Sequence, residues 1–113
     1  MKHSRLVLVV AVCLILSGCS GAAPAPADTP DPTNTVYITD FAYKVPDAVA
    51  PGATLTVVNA DTDAHTVTSD NAGDFDVTVS GKSQATFTAP TKPGSYPFYC
   101  AFHRYMTGTL VVK

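Results

Sequence analysis

From residue 34 to the C-terminus, hydrophobic and polar side chains alternate in short runs rich in Val, Thr, Tyr and Phe. No stretch sustains the i, i+3, i+4 spacing of an amphipathic helix, so the pattern predicts strands. They fall at 35–39, 54–59, 65–69, 76–79, 83–88, 94–100 and 108–112. Between them stand Val-Pro-Asp, Pro-Gly, Asn-Ala-Asp, Asp-Asn-Ala-Gly, Ser-Gly-Lys and Lys-Pro-Gly, combinations that favour turns. Seven to eight short strands at this spacing predict an all-β Greek-key sandwich or barrel. Alternation turns Leu55, Val57, His65, Val67, Val77, Val79, Ala85, Phe87, Tyr96, Phe98, Cys100, Leu110 and Val112 inward. His65 and Cys100 therefore point into one interior. Pro97 lacks a ladder donor in the middle of its strand, which predicts an edge or a bulge there.

The first 33 residues follow other patterns. Lys2 and Arg5 precede an apolar run from Leu6 to Leu16, and small residues follow, which is the layout of an export signal over residues 1–18. Eleven apolar residues are too few for a membrane-spanning helix, which needs about 20. Leu16-Ser17-Gly18-Cys19 resembles a bacterial lipobox, and that resemblance implies that Cys19 carries lipid after cleavage. Residues 19–33 form a Pro/Ala-rich linker with prolines at 24, 26, 30 and 32. Such a composition buries no core and favours polyproline II, whose rise of about 3.1 Å per residue lets the tether reach roughly 40 Å. Residues 34–113 then form the globular domain.

Removing residues 1–18 changes the chemical inventory. Met1, His3 and Cys13 disappear, leaving His65, His103, Met106 and, besides Cys19, one cysteine, Cys100. Cys100 has no disulfide partner in an oxidising compartment, so burial or a metal must protect it. Five cations, Lys44, Lys82, Lys92, Arg104 and Lys113, face nine aspartates and no glutamate. The exported chain is acidic and lacks a basic stripe, which argues against nucleic acid as a partner.

The stretch YPFYCAFHRYMTG, Tyr96 to Gly108, spaces Cys100, His103 and Met106 three residues apart. Taken singly, these are ordinary residues: a buried thiol, a polar ring, a core filler. Together with His65 they make a different set. One thiolate, two imidazoles and a weak thioether are the donors of a blue-copper electron-transfer site. Structural zinc takes four strong Cys or His donors and does not use methionine. Nucleophilic chemistry would need an exposed thiolate beside a base, which a strand-end cysteine in core phase does not provide.

Val58-Asn59-Ala60-Asp61, His65-Thr66-Val67, Gly94 to Cys100, His103 and Met106 together resemble the cupredoxins, specifically their amicyanin and plastocyanin branch. The short Cys-x-x-His-x-x-Met loop is more similar to amicyanin. The resemblance implies one copper per chain, held by His65, Cys100 and His103 in a plane with Met106 axial. It implies that His103 faces solvent as the route for electrons, and that Thr66 and Asn59 support the ligands from behind. Two positions depart from the family pattern. Phe102 stands where a proline commonly precedes the second histidine, and Ala101 lacks a hydroxyl that could pin the facing segment, so Thr66 needs a backbone partner. Phe102, Arg104 and Tyr105 make a candidate docking patch around His103. The expected protein is a monomeric, exported electron carrier, not an enzyme. It is lipid-anchored at the outer face of a bacterial membrane or in the periplasm, and serves a redox protein donor and acceptor. Copper storage or delivery is the alternative.

Overall fold

The computed structural model describes residues 31–71 and 73–113. The expected signal peptide, the lipidation at Cys19 and most of the linker lie outside the described residues. A short 3-10 turn, Pro32–Asn34, leads into the first strand; Asp31 caps it by accepting the Thr33 N–H at 2.9 Å. Eight strands follow: β1 (Thr35–Thr39), β2 (Ala42–Lys44), β3 (Thr54–Asn59), β4 (His65–Ser69), β5 (Asp76–Val79), β6 (Gln84–Thr88), β7 (Gly94–Tyr99) and β8 (Thr107–Val112).

They form two four-stranded sheets, ordered β2-β1-β3-β6 and β5-β4-β7-β8. Pairing is antiparallel except between β1 and β3, where Val36 lies opposite Val57. Neighbours distant in sequence, β1 with β3 and β4 with β7, are the crossings expected of a Greek-key sandwich. The core between the sheets contains Val36, Ile38, Leu55, Val57, Val67, Phe98 and Leu110, each at most 1% exposed. At one end of this core the packing turns polar, and there His65, Cys100 and Met106 are buried as well.

Seven strands agree with the hydrophobic alternation to within a residue or so at their ends. Strand β2 is the addition. It pairs with β1 through a two-residue turn at Asp40 and Phe41, both left-handed, with φ 51° and 58°. Hairpin turns of that kind usually advertise themselves with Asn-Gly or Asp-Gly; Asp-Phe does not.

Pro97 also corrects an expectation, because β7 lies between β4 and β8 and is not an edge. Its register with β8 continues unbroken, Pro97 opposite Thr109. The Pro97 carbonyl accepts the Asp70 N–H at 2.9 Å, so its nitrogen faces the same side, just past the end of β4 at Ser69. No ladder donor is required there.

Candidate metal centre

Three strand ends and one loop build the site. His65 opens β4, Asn59 ends β3, and β7 runs out at Tyr99 into a seven-residue hairpin loop, Cys100 to Met106, that returns as β8. The loop is two consecutive turns that share His103. The His103 N–H donates to the Cys100 carbonyl at 3.2 Å and the Met106 N–H to the His103 carbonyl at 2.9 Å, while the Cys100 N–H closes the ring on the Met106 carbonyl at 3.1 Å. Spacing by threes thus brings each candidate ligand back to the same end of the sandwich. Cys100 and Met106 are buried, His103 is half-buried, and the residues between them, Ala101, Phe102, Arg104 and Tyr105, are exposed.

The donor atoms converge. Cys100 Sγ lies 3.8 Å from His65 Nδ1 and 3.8 Å from His103 Nδ1, and the three atoms fall within 4.8 Å of one another. A first-row ion with bonds of about 2.3 Å to sulfur and about 2.05 Å to nitrogen, at trigonal angles, separates S and N by roughly 3.8 Å. The residues fit such an ion. The remaining ring nitrogen of His65, Nε2, lies 2.8 Å from Asp61 Oδ2, which keeps the proton on Nε2 and leaves Nδ1 as the lone-pair donor facing Sγ. Cys100 is the free cysteine among the described residues. Soft sulfur with two imidazoles suits copper better than a hard cation.

The surroundings favour a thiolate. Burial by itself raises the Cys100 thiol, but the Thr66 N–H, the His103 and His65 imidazoles and the Phe102 N–H outweigh it and bring the thiol down to about 6. The Thr66 N–H points at Sγ from 3.4 Å. Tyr43, from β2, donates its hydroxyl to the Thr66 carbonyl; burial, then the proximity of Cys100, pushes its phenol above the usual range.

Thr66 also joins the two ligand segments through its side chain. Its Oγ1 accepts the Ala101 N–H at 2.7 Å and lies 2.9 Å from Thr68 Oγ1, which donates to Asp76 Oδ1 at 2.8 Å. The Thr68 proton is committed to the carboxylate, so Thr66 donates to Thr68. One polar chain then runs from the ligand loop across β4 to β5.

Asn59 is 1% exposed and acts one layer further out. Its amide donates to the carbonyls of Asp63 at 2.7 Å, Ser80 at 3.2 Å and Val79 at 3.3 Å, and its Oδ1 accepts the Asp61 N–H at 3.0 Å. It shapes the segment 60–64 that delivers His65. Arg104 stacks over Tyr99, 4.7 Å from the ring centre. Phe102 and Tyr105 are 58% and 72% exposed, and the Tyr105 ring lies 6.1 Å from that of His103.

Two residues carry more than their sequence positions suggested. Asp61 reads as a turn former, yet its carboxylate reaches His65; an acid four residues before a ligand histidine was the available signal. Phe41 gave none. Its ring meets those of His65 and His103 edge-on, at 5.1 Å and 5.0 Å, across a contact between the two sheets.

Comparisons with known proteins agree with this geometry. No curated protein matches the chain. Among solved structures, the oxidised form of a proline-to-alanine variant of amicyanin superposes with a TM-score of 0.62 at 25% identity, over 77% of this chain and 88% of that one. The Cu(I) form of a methionine-to-alanine variant of amicyanin gives the same values: TM-score 0.62, 25% identity, and coverage of 77% and 88%. A reduced proline-to-phenylalanine variant of amicyanin, at 24% identity and TM-score 0.60 over 78% and 95% of the two chains, shares the fold. The sequence model of the cupredoxin-like domain matches residues 6–112, and with that match and this two-sheet fold the chain belongs to the cupredoxin-like domain family.

Proposed function

We propose that this protein is a type 1 copper protein that carries single electrons between redox partners, with His65, Cys100 and His103 as equatorial ligands and Met106 as the axial one. The observation that carries the reading is the pair of equal 3.8 Å separations from Cys100 Sγ to the two Nδ1 atoms, in a site where the thiol is already lowered. Bound copper supplies a one-electron couple between Cu(I) and Cu(II), and the mixed soft and borderline donors suit both states.

The chain's own residues supply the rest. The Thr66 N–H holds the sulfur, Asp61 fixes the His65 tautomer, and the hairpin closure holds His103 at the surface. A framework braced on all sides resists rearrangement as charge changes, which favours fast electron transfer. Phe41, Phe102 and Tyr105 are the exposed large hydrophobic residues among those described, and they surround His103. An apolar collar around the most accessible ligand suits a small, short-lived docking interface. Copper storage or delivery would be better served by exchangeable ligands, whereas His65, Cys100 and Met106 are buried. In this reading Cys19 carries a lipid that keeps the exported protein at a bacterial membrane, and the donor and acceptor are redox proteins reached from there.

Copper added to the protein is expected to give an intense visible thiolate-to-copper band that bleaches on reduction and returns on oxidation. Cys100→Ser abolishes the band. Met106→Leu keeps copper but raises the reduction potential, because loss of a weak axial donor favours Cu(I). A protein that stays colourless with copper contradicts the proposal.

A further inference from the structure

We propose that Asp61 and Phe41 form a single positioning unit, in which one carboxylate orients His65 and also holds the left-handed Asp40–Phe41 turn that lays the Phe41 ring across both histidines. The inference rests on the reading of His65 and His103 as copper ligands and extends it to residues outside the ligand set.

Three hydrogen bonds meet at the Asp61 carboxylate. Oδ1 accepts the Asp40 N–H at 2.8 Å, and Oδ2 accepts the Phe41 N–H at 3.0 Å and the His65 Nε2–H at 2.8 Å. Asp40 and Phe41 both have positive φ, 51° and 58°, where residues other than glycine rarely sit. Two consecutive residues in that region need outside support, and the carboxylate accepts both of their N–H groups. The turn belongs to one sheet and His65 to the other, so the carboxylate ties the sheets together at the metal end. Asn59 fixes Asp61 in its turn through the Asp61 N–H.

The position of Phe41 follows from that support. Its ring stands nearly perpendicular to both imidazoles, at 82° to His65 and 83° to His103, while the two imidazoles lie 5.2 Å apart. It packs against both rings, that of the buried His65 and that of the half-buried His103. Edge-on aromatic contacts of this geometry are favourable beyond the area they bury. The carboxylate has a second effect, since a negative charge bonded to a ligand imidazole favours the more positive metal state.

The test uses the full chain, first without metal. In the unaltered protein, nuclear Overhauser contacts from the Phe41 ring to both imidazoles are expected, and their absence overturns the proposal. Asp61→Asn is expected to speed hydrogen exchange at the Asp40 and Phe41 amides at least tenfold relative to the Val57 amide, and to weaken the Phe41–His103 contacts. Unchanged exchange and contacts overturn it. Neither readout needs copper, so both decide the matter even in a protein that stays colourless. In the copper-loaded protein, Asp61→Asn is expected to shift the Cu(II)/Cu(I) equilibrium toward Cu(I) by about tenfold, or about 59 mV for one electron. Phe41→Leu combined with Asp61→Asn shifts it by less than the sum of the single changes. Strictly additive shifts mean two separate contacts and overturn the single unit.

Discussion

Replacing Thr66 by valine exchanges one hydroxyl for a methyl of nearly the same shape and leaves the β-branched backbone preference intact. The Thr66 N–H still points at Cys100 Sγ, and the Thr66 carbonyl still accepts from Tyr43. The Ala101 N–H, however, loses an acceptor at 2.7 Å, and the Thr68 hydroxyl loses its donor at 2.9 Å. An unsatisfied donor costs about 1–3 kcal/mol when buried. Ala101 lies at the surface, where water replaces part of the lost bond, so the low half of that range applies. A loss of about 1.5 kcal/mol corresponds to a melting point lower by roughly 6–12 °C in a domain of this size. The assay is thermal unfolding of the metal-free protein followed by circular dichroism, with Thr66→Ser as the control that keeps the oxygen. Loosening of the Ala101 segment also moves the thiolate, so the visible band of the copper-loaded valine variant shifts while that of the serine variant stays near wild type. If valine and serine melt together, the hydroxyl chain from Ala101 to Asp76 has no part in holding the ligand loop.

Gly81→Ala tests the segment that carries His65, because a Cβ there would stand 1.9 Å from the Thr62 carbonyl oxygen and 2.5 Å from its carbon. Backbone must move, so a loss of about 1–3 kcal/mol is expected from the overpacking, and an unchanged melting point would contradict it. In the metal-free protein, ultraviolet titration of the thiolate is expected to give a value of about 6 for Cys100, below an ordinary thiol. Because the folded value lies below the unfolded one of about 8.5, the stability from this group is full above pH about 8.5, declines as pH falls, and is gone below about 6. Wild type should therefore gain stability relative to Cys100→Ser between those limits; parallel profiles would refute the lowered thiol. Cys19→Ser is expected to release the protein from the membrane fraction, and continued tight association would contradict a lipid anchor.

Much of the fold was legible because strand alternation reports burial directly. Leu55, Val57, Val67, Leu110 and Val112 are all in the core where a period of two places them. The fit is looser in β5 and β6, the edge strands of their sheets, and in β7: Val77, Ala85, Phe87 and Tyr96 are only half-buried. Thr66 is buried against the alternation, because the loop from Cys100 folds over the outer face of β4. The ligand types were equally plain, since few residues in the chain have donor atoms for a soft metal. His65 could be joined to Cys100 because both fell in phase with core residues.

Relations between segments far apart in sequence were a different matter. The three-residue strand β2 is too short to show a period, and its Asp-Phe turn lacks the usual residues, so nothing local announces it. Asp61, read locally, is one more aspartate in a turn. That it also faces the Asp40–Phe41 turn depends on β1 pairing with β3, which sets the ends of the two strands side by side. Local patterns thus determined which residues form strands and which carry donor atoms, since both follow from near neighbours and side-chain chemistry. Tertiary structure alone decided that Phe41 and Tyr43 reach the site and that the Asp61 carboxylate meets the Asp40–Phe41 turn, because these contacts exist only after segments about 20 or more residues apart are packed against one another.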